Sequence, residues 1–170
     1  MPALNAMRTA ERVFATTHTR ADLLVSAIDA LASQPGQMCL VSLVDGEALR
    51  PAGVAHALSS RTGELRELIN HLGKGDGADA FSRAAQTQCS PVRMRIGDPA
   101  LLELWLPDPY WDYARRTSVS TVMAAPLAVR NKVLGTFLLW REGEGASPYT
   151  ASDQAYVAGL AARLALALKG

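Results

Sequence analysis

Apolar residues recur along this chain with two periods, three-to-four and two, and the switches between them mark out the elements. Met7, Ala10, Phe14 and Ala15 form a short, imperfect helical stripe near the start. A second helix begins at Thr19, with Asp22 three residues on in a capping-box pattern. Leu24, Ala27, Ile28 and Leu31 line one face of it, and Pro35-Gly36 ends it. The run from Gln37 to Val44 is rich in β-formers. Cys39, Val41 and Leu43 share one face and Leu40, Ser42 and Val44 the other, which predicts a central strand covered on both sides. Asp45-Gly46 signals a hairpin turn. The return strand runs from about Ala48 to Ala57, and Pro51 inside it favours an exposed or irregular edge.

Leu65, Leu68, Ile69 and Leu72 repeat at helical spacing, closed by Gly73 and a flexible loop over 73–77. Ala78 to Gln86 reads as a short helix. Pro91 to Ile96 alternates, with Val92, Met94 and Ile96 on one face and Arg93 and Arg95 on the other, as in a half-buried strand. Asp98 to Ser118 breaks the pattern: it holds Trp105, Tyr110, Trp111 and Tyr113 among Pro99, Pro107 and Pro109, and reads as short helices and loops. Two strands follow, Ser120 to Val129 and Val133 to Trp140, joined by a turn around Arg130-Asn131-Lys132. Gly135 in the second marks a place where another element can approach closely. Thr150 and Asp153 repeat the capping box ahead of a last helix striped by Val157, Leu160, Ala161, Leu164 and Leu168. Strands in hairpins, with helices between and around them, predict an α+β fold: a central antiparallel sheet with helices on its faces. The regular strand–helix alternation of a doubly wound parallel sheet is absent.

Composition narrows the function. The 170 residues suit one domain spanning 1–170, and 17 basic against 16 acidic side chains leave a net charge of +1. A nucleic-acid binder relies on basic excess, so that class is disfavoured. No apolar run reaches bilayer length and the start lacks a signal core, so a cytoplasmic chain without membrane attachment is expected. Cys39 and Cys89 fit reduced thiols, and without a Cys-x-x-Cys pair or clustered histidines no Cys/His metal site is expected.

The order of elements resembles the GAF domain family. The stretch from Thr121 to Trp140, TVMAAPLAVRNKVLGTFLLW, is similar to the family's paired late strands. Tyr149-Thr150 through Asp153 resembles the start of its closing helix. Ala21-Asp22-Leu23-Leu24 and the hairpin from Met38-Cys39-Leu40 resemble its opening. The resemblance implies a GAF-like (PAS-like) sheet with the N- and C-terminal helices packed on one face. It also implies a sensory or regulatory role in signal transduction rather than catalysis, with control of an attached or partner output module.

In such a domain the ligand lies between the sheet and the insert. Trp105, Tyr110, Trp111 and Tyr113 could line that pocket, with Arg93, Arg95, Arg115, Arg116, Thr121 and Met123 as further lining candidates. Alternatively, the aromatics simply fix the insert to the sheet. The resemblance does not name the small molecule. The Asn-Lys, Phe, Asp-Glu motif of cyclic-nucleotide binders is not matched, because Asn131-Lys132 precedes the last strand and Asp153 is followed by Gln154. Neither cysteine precedes a histidine, as bilin attachment requires. His56 or His71 as a haem ligand is disfavoured, since a lone histidine is more often a satisfied structural residue. Two alternatives stay open: a thiol reductase of the free methionine sulfoxide type using Cys89, and a degenerate domain serving dimerisation alone. The last helix carries Ala155, Gly159 and Ala162 beside its leucine stripe, so a homodimer through this face and through Met7 and Phe14 is expected.

Overall fold

The computed structural model describes residues 19–71 and 78–169. The described elements are α1 (Arg20–Leu31), β1 (Gln37–Asp45), β2 (Ala48–His56), α2 (Ser59–His71), α3 (Ala80–Gln88), β3 (Val92–Arg95), α4 (Ala100–Trp105), α5 (Asp108–Arg116), β4 (Val119–Val129), β5 (Lys132–Glu142) and α6 (Ala151–Lys169). The strands form one antiparallel sheet in the order β2-β1-β5-β4-β3. Met7, Phe14, His18 and Leu72 lie outside the described residues, as does the side chain of His71.

Local chemistry accounts for the joints. Arg130 and Asn131 both take positive φ, 50° and 68°, as a two-residue type I′ turn between twisted strands requires. In the first hairpin Asp45 pairs with Ala48, so the turn residues are Gly46 and Glu47, with Gly46 at φ 64°. Pro51 lies on edge strand β2, where the register shifts between Val41 and Ser42. Thr19 Oγ1 accepts from Asp22 N at 3.1 Å. At α6 the box closes in both directions: Asp153 N donates to Thr150 Oγ1 and Thr150 N to Asp153 Oδ2. Gly135 sits where a methyl group would overlap the Ser42 carbonyl oxygen.

The sheet divides two cores. On one face α1 and α6 pack Leu24, Ile28, Leu31, Leu160 and Leu164 against Cys39, Val41, Phe137 and Leu139. Burial of each such leucine is worth about 1.5–3 kcal/mol. On the other face lie α2 to α5, with Leu65, Phe81, Leu102, Tyr110 and Tyr113 over Met38, Leu40, Leu138 and Trp140. On the predicted apolar side of β3, Val92 packs on the insert core and Ile96 just beyond the strand is buried, but Met94 is 42% exposed on this edge strand.

Candidate functional site

Successive side chains of a strand point to opposite faces, and the end of β5 exploits this. Trp140 and Glu142 face the insert layer, and Arg141 between them faces the terminal helices. Glu142 is the hub on the insert side. Its carboxylate accepts from His56 Nε2 at 2.9 Å, from the Tyr113 hydroxyl at 2.9 Å and from Trp140 Nε1 at 3.1 Å. The amide of Leu58 donates to His56 Nδ1 at 3.0 Å, so the ring proton belongs on Nε2. The His56 and Glu142 side chains are 1% and 9% exposed, a burial that a carboxylate tolerates only when its hydrogen bonds are met. Tyr113 stacks on Trp140 with ring centres 5.9 Å apart. Burial, and then the adjoining Glu142 carboxylate, push its phenol above the usual range. The guanidinium groups of Arg61 and Arg116 lie 5.9 and 5.7 Å from the Tyr113 ring centre, and Glu64 holds Arg116 at 2.9 Å.

Arg141 does the corresponding work on the other face. It donates to Gln37 Oε1 (3.2 Å), Gln34 Oε1 (3.2 Å) and the Ser147 carbonyl (3.0 Å), and it lies 3.7 Å from Asp153 at the start of α6. Its guanidinium also sits 4.3 Å from the centre of the Tyr149 ring. Gln37 accepts from the Tyr149 hydroxyl and donates to the Leu31 carbonyl at the end of α1. Two adjacent residues therefore join the insert, the sheet and both terminal helices.

The predicted pocket residues separate. Tyr110 and Tyr113 are buried in the insert core, and Trp105 packs edge-on to Phe81 at 5.4 Å. The Tyr110 hydroxyl and Trp111 Nε1 have no hydrogen-bond partner among the described residues. Burial, with Asp79 nearby, raises the Tyr110 phenol, and burial also raises the Asp79 carboxyl, which caps α3 through Ser82. Met123 lies in the terminal-helix core, on the face away from the insert. Thr121 receives Tyr149 N, Arg93 donates to the Tyr149 carbonyl, and Arg95 is exposed. Arg116 belongs to the Tyr113 cluster. Arg115 stands 5.7 Å from the Trp111 ring centre and pairs with Asp112 at 3.2 Å. It also borders a cleft of about 220 Å³ between α4, the end of α5 and the start of β4.

On α6, Ala155 and Ala162 are exposed, Gly159 is half-buried and Leu166 is 62% exposed, while Val157, Leu160, Ala161 and Leu164 of the stripe are buried and Leu168 is half-buried. Cys39 is fully buried and its thiol is pushed far up by burial, with Asp29 adding to the shift. Cys89 ends α3 in the left-handed region, at φ 53°. Both ring nitrogens of His56 are engaged, so neither is free for haem iron. Among the described residues no group of His, Cys, Asp and Glu could hold a metal ion, and no helix is long and apolar enough to cross a membrane.

Sequence reasoning missed Glu142, Arg141, Gln37 and Trp140 as functional candidates. Their signal was present: a polar pair closing an apolar strand, opposite a strand that opens on glutamine.

The GAF domain family matches residues 17–169, nearly the whole chain. No curated protein sequence matches it. Among solved structures it is similar to the GAF domain of a phosphoenolpyruvate-protein phosphotransferase from Coxiella burnetii, with TM-score 0.74 and 13% identity, covering 99% of this chain and 94% of that one. It is also similar to a GAF domain/HD domain protein from Geobacter sulfurreducens, with TM-score 0.69 and 16% identity over 89% and 93% of the two chains. Free methionine-R-sulfoxide reductase from Neisseria meningitidis, solved with its substrate, shares the fold at TM-score 0.69 and 14% identity over 98% and 88%. The chain belongs to the GAF family, whose members are in general sensory and regulatory domains.

Proposed function

We propose that the chain works as a single GAF-type signalling unit in which the insert senses a small molecule and α6 passes the result to an attached or partner output module. The observation that carries this reading is the Arg141–Glu142 junction. Glu142 ties β5 to α5 and to the β2–α2 corner, and Arg141 ties the same strand end to α6. A ligand that favours one position of α5 over another would shift α6 by its differential affinity. The exposed Ala155, Ala162 and Leu166 face of α6 supports homodimerisation, since monomers rarely leave such a face uncovered.

Hydrogen exchange tests the relay. In Glu142→Gln, amides over 151–157 should exchange faster although Glu142 does not touch them, with circular dichroism unchanged. Changes confined to α5 and to 56–62 would sink the relay. Light scattering tests the dimer: Ala162→Glu should be monomeric and folded, and a wild-type chain monomeric at high concentration would end that part of the reading. A thiol reductase remains the second reading only through Cys89, because Cys39 is buried with its thiol held protonated.

A further inference from the structure

The cleft beside Arg115 has the parts of a small-molecule site. It opens where two backbone irregularities meet. Val119 pairs with Glu142 and Thr121 with Arg141, so Ser120 is the extra residue of a bulge, a device that re-aims side chains near binding sites. Ser118 adopts φ 56°, a left-handed conformation unusual for serine, and its carbonyl is held by Gly143 N at 2.9 Å. Both residues line the cleft.

Its chemistry is divided. Ile96, Leu102, Ala114 and Val119 supply apolar walls, all of them buried in the insert core. The Ser120 hydroxyl is buried without a hydrogen-bond partner among the described residues, a condition that favours a ligand able to supply one. Two opposite charges also line the cleft, Arg115 and Glu144. Glu144 makes no ion pair among the described residues. Arg115 gives Asp112 one nitrogen, and its planar fork has further N–H donors for a second carboxylate. A Cβ at Gly97 on the lining would meet nothing within 4 Å. The volume, about 220 Å³, is below the roughly 300–1,000 Å³ typical of drug-sized ligands. It therefore suits a molecule of metabolite size.

We propose that this cleft binds a small zwitterion with an aliphatic body, the chemistry of a free α-amino acid such as leucine. Arg115 takes the carboxylate, Glu144 takes the ammonium, the aliphatic body lies on Leu102 and Val119, and the Ser120 hydroxyl gains its missing partner. The proposal deepens the sensing role above and rests on it for regulatory meaning only. The relay test uses no ligand, so the two ideas can fail separately.

The experiment is a titration of the 170-residue chain followed by amide chemical shifts. The probes are leucine, 4-methylpentanoate, which lacks the ammonium, and 3-methylbutylamine, which lacks the carboxylate. Leucine should give saturable shifts at Gly97, Ser118 and Ser120, and each single-charge probe should bind about tenfold more weakly. Arg115→Gln and Glu144→Gln alter exposed side chains, so the fold should persist, and each should weaken leucine by a similar factor. Gly97→Leu should block the cleft and abolish the shifts. No saturation by leucine below about 10 mM would overturn the proposal. So would equal binding of the three probes, or shifts at another surface that Gly97→Leu leaves intact.

Discussion

The two faces of the sheet are held by different physics. Between the sheet and the terminal helices, contact is made mainly by leucine, alanine and valine stripes; polar groups gather around Arg141 and Gln37, and the Tyr156 hydroxyl is buried beside them without a partner among the described residues. Between the sheet and the insert, large aromatics share the space with a buried carboxylate, a buried histidine and hydroxyls without partners. The first layer depends on volume and resists change through packing. The second depends on matching each donor with an acceptor, and Tyr110, Ser120 and Trp111 show where matching is incomplete. Unmet donors therefore gather on the insert side, at Tyr110, Trp111 and Ser120, while the helix side shows Tyr156.

Three substitutions probe that contrast. The largest effect is expected from Leu164→Ala, at a position with 0% exposure: a loss of about 3 kcal/mol by chemical denaturation, from lost transfer energy and the cavity left behind. A loss under about 1 kcal/mol would mean the helix layer is looser than described. Next comes Tyr113→Phe, which keeps the ring stack but leaves Glu142 one donor short. It should cost about 1–2 kcal/mol, and an unchanged midpoint would remove Glu142 as a hub. The smallest effect is expected from Tyr110→Phe, which deletes a buried hydroxyl that makes no bond. It should be neutral within about 0.5 kcal/mol, or slightly stabilising. A large loss there would show that the hydroxyl does have a partner.

This division also explains what was legible beforehand. Periodicity exposes volume, so the stripe of Leu160, Ala161 and Leu164, the doubly covered β1 and the close approach at Gly135 could all be read from the sequence. The capping box at Thr150 and Asp153 was equally readable because its partners are three residues apart. The insert was harder. Its helices are short and broken at Pro107, and its aromatics suggested a pocket where Tyr113 in fact fills the core against Trp140. The Glu142 hub joins residues 86 and 29 positions apart, and no local spacing announces such contacts. Met94 misled because alternation specifies which residues share a face but not whether anything covers it.

Arg141 and Glu142 have a consequence for how the chain finds its pairing. Slipping β5 by one residue against its neighbours would reverse every side chain between faces. A mostly apolar strand covered on both sides penalises such a slip weakly, because leucine is welcome on either face. The charged pair removes that indifference. After a slip, a guanidinium would stand among the donors of His56, Tyr113 and Trp140, and a carboxylate would face Gln34 and Asp153. At the opposite end, the glycine opposite the Ser42 carbonyl could not be exchanged for Leu134 or Thr136 without a steric collision. The middle strand of the sheet is thus keyed at both ends, by charge at one and by the absence of a side chain at the other.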